Sequence, residues 1–146
     1  MNKSIHHHYF FPQEPKVVWK YLTEASLIEQ WLMPNNFKPV IGYEFQFRSK
    51  PAPQIEFDGI AYCKVLEIVP MKKLTYSWKC GPGENKITLD SIVVWTLNPK
   101  DGGTELILEQ TGFKEVENAN IFLAMKDGWA KHVKMIEELL NTESHV

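Results

Sequence analysis

The segment NANIFLAMKDGWAKHVKMIEELLN, residues 118–141, decides the fold class of this chain. Its apolar residues recur at steps of three and four positions, the spacing that places side chains on one face of a helix. Lys126, Lys134 and Glu138 lie on the opposite side. The apolar face consists of Phe122, Met125, Trp129, Val133, Ile136 and Leu140. The segment therefore predicts one long amphipathic helix, with a single buried face, at the end of the chain.

Residues 37–113, which precede this helix, have the two-residue apolar period of half-buried strands. The clearest example is LTYSW at 74–78. The dipeptide Asp101-Gly102 is a strong hairpin signal, because a two-residue hairpin turn requires positive φ angles that these residues tolerate. The region therefore predicts a run of antiparallel strands joined by short turns.

One of these strands is predicted to be longer than the others. We expect it to cover 57–69, with Gly59 inside it. Lys64 and Glu67 fall on opposite parities, so the side that faces the core must change between them. A change of this kind is typical of a β-bulge.

The N-terminal part of the chain predicts a strand over 4–11 followed by two short helices. Pro15 favours the first helical position of the first one, where a missing N–H costs least. SLIE at 26–29 has the pattern of a capping box, which predicts the start of the second helix. Pro34 ends it, since proline cannot continue the hydrogen-bond ladder.

This order of elements is typical of an α+β fold with an antiparallel sheet. We predict a curved sheet of roughly six or seven strands over the long C-terminal helix, because antiparallel sheets twist. A straight helix does not fill a strongly curved sheet, and apolar gaps of this kind are the usual ligand sites. The predicted ligand-binding residues are Phe45, Phe47, Trp78, Gln110, Phe122, Met125 and Trp129. Gln110 is the polar member, and its amide must bond either a neighbour or the ligand.

Length and composition bound the remaining possibilities. The 146 residues predict one domain, residues 1–146, and the net charge of −2 argues against a nucleic-acid partner. The N-terminal residues contain no apolar signal segment, and no apolar run approaches the ~18 residues of a membrane span. Cys63 and Cys80 are predicted to be reduced core thiols. We therefore expect a cytoplasmic protein without membrane insertion.

Several short stretches, spread over nearly the whole chain, carry a family resemblance. They are VW at 18–19, WLMP at 31–34, GYEFQF at 42–47, VLEIVP at 65–70 with LTYSW at 74–78, GGT at 102–104 with GF at 112–113, and GW at 128–129. In these stretches the chain resembles the START-like, birch-pollen-allergen-like (SRPBCC) superfamily. Within it, the chain is similar to homologues of the activator of the ninety-kilodalton heat-shock protein ATPase. The resemblance implies a helix-grip fold with a hydrophobic pocket under the C-terminal helix, and it does not specify a ligand.

The function expected from the cavity and the resemblance is binding of a small hydrophobic molecule, aromatic or lipid-like. Two alternatives stay open: a chaperone-interaction or stress-response module, and a cyclase or hydrolase that uses the same cavity. The eukaryotic cochaperone carries a separate N-terminal docking domain, for which this chain has no room. We therefore expect no stimulation of the chaperone's ATPase, since fold similarity alone does not establish function.

Catalytic and metal sites have weak support in the sequence. A phosphate loop, Gly-x-Ser-x-Gly and His-Glu-x-x-His are all missing, so neither catalytic residues nor a cofactor are predicted. His132, near the apolar face of the last helix, is more typical of a hydrogen-bonded boundary residue than of a general base. His6 and His8 would share one face of a strand, but zinc needs three or four ligands. We therefore predict no metal site.

Overall fold

A computed structural model describes residues 2–143. Met1 and residues 144–146, which belong to the predicted domain 1–146, lie outside the described residues. The elements in chain order are β1 (Asn2–Phe11), α1 (Pro15–Thr23), α2 (Ala25–Trp31), β2 (Glu44–Arg48), a 3₁₀ turn (Pro53–Ile55), β3 (Ile60–Val69), β4 (Lys73–Cys80), β5 (Leu89–Lys100), β6 (Gly103–Lys114) and α3 (Ala119–Glu143).

The six strands form one antiparallel sheet in the order β1-β6-β5-β4-β3-β2. The sheet curves around α3, and the two short helices follow β1, so the predicted α+β architecture is confirmed. Alternate residues of β5 are buried, and in β6 Leu106, Leu108 and Gln110 share the buried face as predicted. The inner face of the sheet and the apolar face of α3 together form the core.

The turn between β5 and β6 lies where the sequence predicts it. Asp101 and Gly102 both have positive φ angles, 50° and 78°, as a two-residue hairpin turn requires. The predicted bulge is also confirmed, because the β3–β4 register shifts between Val65 and Glu67. These features depend only on neighbouring residues, and the sequence pattern therefore locates them well.

The prediction of a strand starting at residue 57 was wrong, because β3 begins at Ile60. Gly59 lies before the strand with a φ angle of +97°. A Cβ atom there would come within 2.7 Å of the Ser49 carbonyl oxygen, so the backbone passes too close for any side chain. Phe57 forms an isolated bridge with Ala52 and belongs to the loop after β2.

The predicted capping box at Ser26 was also wrong. Helix α2 begins at Ala25, and its N-cap residue, Glu24, makes no side-chain capping bond. The reason is the tight connection between the two helices. The Glu24 N–H still bonds the Lys20 carbonyl of α1, so one residue ends α1 and begins α2. Ser26 is therefore already inside the helix.

Candidate functional site

A cavity of about 140 Å³ lies between α3, the end of α2, the 3₁₀ turn and the inner face of β4. Its wall is almost wholly apolar and aromatic, and it consists of Leu32, Met33, Ile55, Phe57, Trp78, Cys80, Ile121, Ala124, Met125, Gly128, Trp129 and His132. A cavity of about 150 Å³ with such a lining holds one benzene ring. This site has room for a single aromatic ring or a compact aliphatic group.

One line along the α3 side of the cavity consists of residues three or four positions apart: Ile121, Met125, Gly128 and His132. Ala124 and Trp129 complete this side. Gly128 is the residue in this line that has no side chain. The nearest side-chain atom to a Cβ built at Gly128 is Cδ2 of His132, at 4.0 Å. Glycine inside a helix costs roughly 0.5–1 kcal/mol relative to alanine. At this position it leaves space that a side chain would occupy.

The inner wall of the cavity is a rigid aromatic surface. The Trp129 ring makes edge-to-face contacts with Trp78 at 5.6 Å and with Trp95 at 5.5 Å between centroids. Its indole Nε1–H donates to Oε1 of Gln110 at 2.8 Å. Edge-to-face aromatic pairs add about 0.5–1.5 kcal/mol beyond burial. Trp129 is therefore held in one orientation by its neighbours.

Gln110 lies behind this wall, fully buried, and its hydrogen bonds go to neighbours. Its Nε2 donates to Oγ of Ser91 at 2.8 Å, and the Ser91 hydroxyl donates to the Trp78 carbonyl at 2.8 Å. The sequence left open whether this amide meets a neighbour or a ligand. Ser91 and Trp129 satisfy it together with the Met125 sulfur, which accepts from Nε2 at 3.8 Å, so its role in the structure is to hold the wall in place.

The other predicted site residues lie elsewhere. Phe45 and Phe47 pack in an aromatic cluster with Tyr76, and Phe47 stacks on Trp78 at 5.1 Å, outside the cavity lining. Phe122 packs edge-to-face on Phe113. Three of the predicted residues, namely Trp78, Met125 and Trp129, line the cavity. Ligand binding by any of the predicted residues stays a prediction.

Several wall residues were not predicted. Ile55 ends the 3₁₀ turn and Phe57 lies in the loop after it. This segment has no apolar periodicity, so its sequence does not predict that these two side chains face α3. Leu32 and Met33 follow the end of α2. His132 was expected near the apolar face as a hydrogen-bonded boundary residue, and it also lines the cavity because it lies four positions after Gly128 on the same helical line.

His132 is the polar side chain on the α3 side of the cavity, and its tautomer follows from one contact. Nδ1 lies 2.9 Å from the Trp31 backbone carbonyl. A carbonyl oxygen only accepts, so Nδ1 must carry the hydrogen, and Nε2 of the neutral ring then keeps its lone pair. Burial lowers the pKa of His132, and the bond to Trp31 opposes this in part. The neutral ring therefore predominates at pH 7.

Cys80 is the other ionisable group of the wall. Burial raises the pKa of its thiol to about 12, against a smaller lowering by the nearby Trp78 indole N–H. That N–H is buried and lies beside the sulfur without completing a hydrogen bond. Cys80 therefore stays protonated, and its sulfur contributes apolar surface to the cavity.

Within residues 2–143, no group of three or more His, Cys, Asp or Glu side chains is arranged to hold a metal ion. The His6 and His8 rings lie 5.5 Å apart, and Nε2 of His8 is 3.5 Å from the Glu105 carboxylate. No helix in the same range is both long and apolar enough to cross a membrane.

Comparison with known proteins agrees with this architecture. The family model described as "Activator of Hsp90 ATPase homolog 1-like protein" matches residues 13–141. The crystal structure of protein MLL2253 from Mesorhizobium loti is 31% identical, with a TM-score of 0.85 over 96% of this chain and 98% of that one. No curated protein matches the chain.

Two more distant structures share the fold. CalU16 from Micromonospora echinospora is 21% identical, with a TM-score of 0.75 over 99% of this chain and 80% of that one. The Aha1 dimer from Colwellia psychrerythraea is 15% identical, with a TM-score of 0.76 over 93% of this chain and 94% of that one.

Proposed function

Since the chain belongs to the family of Activator of Hsp90 ATPase homolog 1-like proteins, we propose that it binds a small apolar molecule in the cavity under α3. The observation that carries this proposal is the glycine at position 128, near the middle of α3. Because Gly128 has no side chain, the aromatic-walled cavity beside the helix stays open. A purely structural helix would gain stability from almost any other residue at this position. The open space is therefore the feature that needs a functional explanation.

The character of the wall supports a flat aromatic or compact aliphatic ligand. Trp129 and Trp78 are almost fully buried and fixed by their neighbours, so a ligand would meet a preorganised surface. Transfer of apolar area from water contributes about 25 cal/mol per Å². Because the cavity accepts about one ring, we expect a dissociation constant on the order of 0.1–1 mM for a minimal probe.

The ionisable groups of the cavity support binding more than covalent catalysis. His132 offers a neutral imidazole, and Cys80, with its pKa of about 12, offers no thiolate. A cyclase or hydrolase would need a second ionised group or a nucleophile in reach of the bound molecule. The described wall supplies one base without such a partner.

A cytoplasmic location belongs to the same proposal. Cys63 and Cys80 are both free and buried. Unpaired core thiols of this kind suit a reducing compartment.

The proposal is tested by titrating p-xylene into the ¹⁵N-labelled protein and following the Trp129 indole N–H by NMR. Gly128→Leu should fill the cavity and weaken binding at least about tenfold. Ala130→Leu, a matched change at an exposed position of the same helix, should leave binding unchanged. Equal affinity in both variants, or no perturbation of the wild-type protein at millimolar p-xylene, would reject the proposal.

A further inference from the structure

The His132 ring lines the cavity, and its Nε2 atom is a polar atom for which the fold has no use. The other ring nitrogen is occupied by the Trp31 carbonyl, 2.9 Å away. Among the described residues Nε2 has no hydrogen-bond partner, and His132 lines the cavity. Gly128, one helical turn earlier, has no side chain to cover this edge of the ring. The other polar groups of the wall are the protonated Cys80 thiol and the indole N–H groups of Trp78 and Trp129, and an indole N–H can only donate. Nε2 of His132 is therefore the strong side-chain acceptor that the wall offers.

The consequence for recognition follows from the nature of this atom. A neutral imidazole with Nδ1 protonated can only accept at Nε2. A ligand that covers Nε2 without offering a donor removes this acceptor from water and leaves it unsatisfied, which is unfavourable. A ligand with a hydroxyl or N–H group at that point donates a hydrogen bond to Nε2 and so replaces the bond from water.

From this geometry we infer that His132 is the specificity-determining residue, and that the ligand is a neutral, single-ring aromatic molecule with a hydrogen-bond donor, of which a phenol is the simplest example. The inference rests on the proposed function, since it concerns a ligand in the same cavity. The apolar wall selects the ring, and Nε2 of His132 selects the donor and sets the orientation of the ring.

The experiment compares two probes of nearly equal shape, p-cresol and p-xylene, which differ by a hydroxyl in place of a methyl group. Because the two differ in hydration, the informative quantity is the change in their affinity ratio between the wild-type protein and a variant. In His132→Asn the side-chain amide can still donate to the Trp31 carbonyl, but nothing accepts at the position of Nε2. We expect the relative preference for p-cresol to fall about five- to tenfold in this variant.

A second variant separates specificity from structure. In His132→Gln the longer amide can place an acceptor near the position of Nε2, but it loses the bond to the Trp31 carbonyl. We expect most of the p-cresol preference to return. A purely structural role for His132 predicts the opposite order, with the asparagine variant resembling the wild type and the glutamine variant impaired.

The wild-type protein provides an independent readout if a variant does not fold. The ¹⁵N chemical shift of His132 Nε2 should move on addition of p-cresol in the direction of an accepted hydrogen bond, and it should not do so with p-xylene. If both probes bind and neither the Nε2 shift nor the affinity ratio responds, the inference about His132 is wrong while the proposed function stands. If neither probe perturbs the cavity, both are rejected.

Discussion

The two halves of α3 carry the same three-and-four spacing of apolar residues, yet they do different things. In the second half, Val133, Ile136 and Leu140 are at most 1% exposed and pack against the sheet. In the first half, Met125 is only partly buried and Gly128 has no side chain at all, so the helix faces a cavity. One pattern therefore gives a closed core at one end of the helix and a candidate binding site at the other.

The largest expected effect tests the closed half. Ile136→Ala should lower the free energy of unfolding by about 2–5 kcal/mol, because it leaves a space in a packed core. Met125→Ala, at a partly buried position beside an existing cavity, should cost clearly less, even though it also removes the weak sulfur acceptor of the Gln110 amide. Urea denaturation measures both values. Similar losses in the two variants would mean that the halves of α3 are packed alike.

The second prediction concerns Trp129, which lies between the two halves of α3 and forms part of the cavity wall. Trp129→Phe keeps an aromatic ring but removes the N–H that bonds Gln110, leaving a buried acceptor without its donor. We expect a loss of about 1–3 kcal/mol in the free energy of unfolding. Trp19→Phe, at a partly exposed position of α1, serves as the control and should cost clearly less. No difference between the two would argue against the structural role of the Gln110 network.

In the first half of α3, which faces the cavity, Gly128→Ala should change the stability of the protein and its ligand affinity in opposite directions. Outside the neighbouring backbone of α3, the new methyl group meets no atom closer than 4.0 Å, so the gain in helix propensity is not offset by strain. We expect the unfolding free energy to rise by about 0.5–1 kcal/mol. The affinity for p-xylene should fall severalfold at the same time, because the cavity shrinks. A variant that is more stable and binds equally well would show that Gly128 does not define the cavity.

The smallest effect concerns pH. The pKa of His132 is lower in the folded state than its ordinary value of 6.5, so the unfolded chain takes up the proton first. This contribution to stability is present above pH 6.5 and is lost as the pH falls through the folded pKa. Cys80 stays protonated throughout this range. Between pH 7 and pH 5 the wild-type protein should therefore lose more stability than His132→Asn, measured by thermal unfolding in matched buffers. If the stability of the two proteins changed with pH in parallel, the lowered pKa of His132 would be contradicted.

Several features of the fold follow from local sequence because their causes are local. The turn at Asp101-Gly102 requires only two residues that accept positive φ angles. The buried faces of β6 and α3 follow from the periods of two and 3.6 residues, which place side chains regardless of what they later contact. Even the bulge near Glu67 is visible as a change of parity.

The places where sequence reasoning failed have distant causes. The sequence around Gly59 favours a strand. In the structure, the Ser49 carbonyl oxygen lies 2.7 Å from the position that a Cβ atom of residue 59 would take. Ser26 has the pattern of a helix cap, but the bond from Glu24 to Lys20 uses the preceding residue for both helices. In each case, contact with another part of the backbone overrides a local preference.

The candidate site shows the same division between local and distant causes. The sequence by itself determined that a curved sheet meets one long helix and that Trp78, Met125 and Trp129 lie on the facing surfaces. Only the tertiary structure decided which edge of the helical face borders the gap, because rotation of α3 by a fraction of a turn exchanges Phe122 for Ile121. It also brought Ile55 and Phe57 to the cavity and placed the Trp31 carbonyl against His132. Periodicity specifies a face of each element, whereas the space left between two faces depends on how their side chains pack.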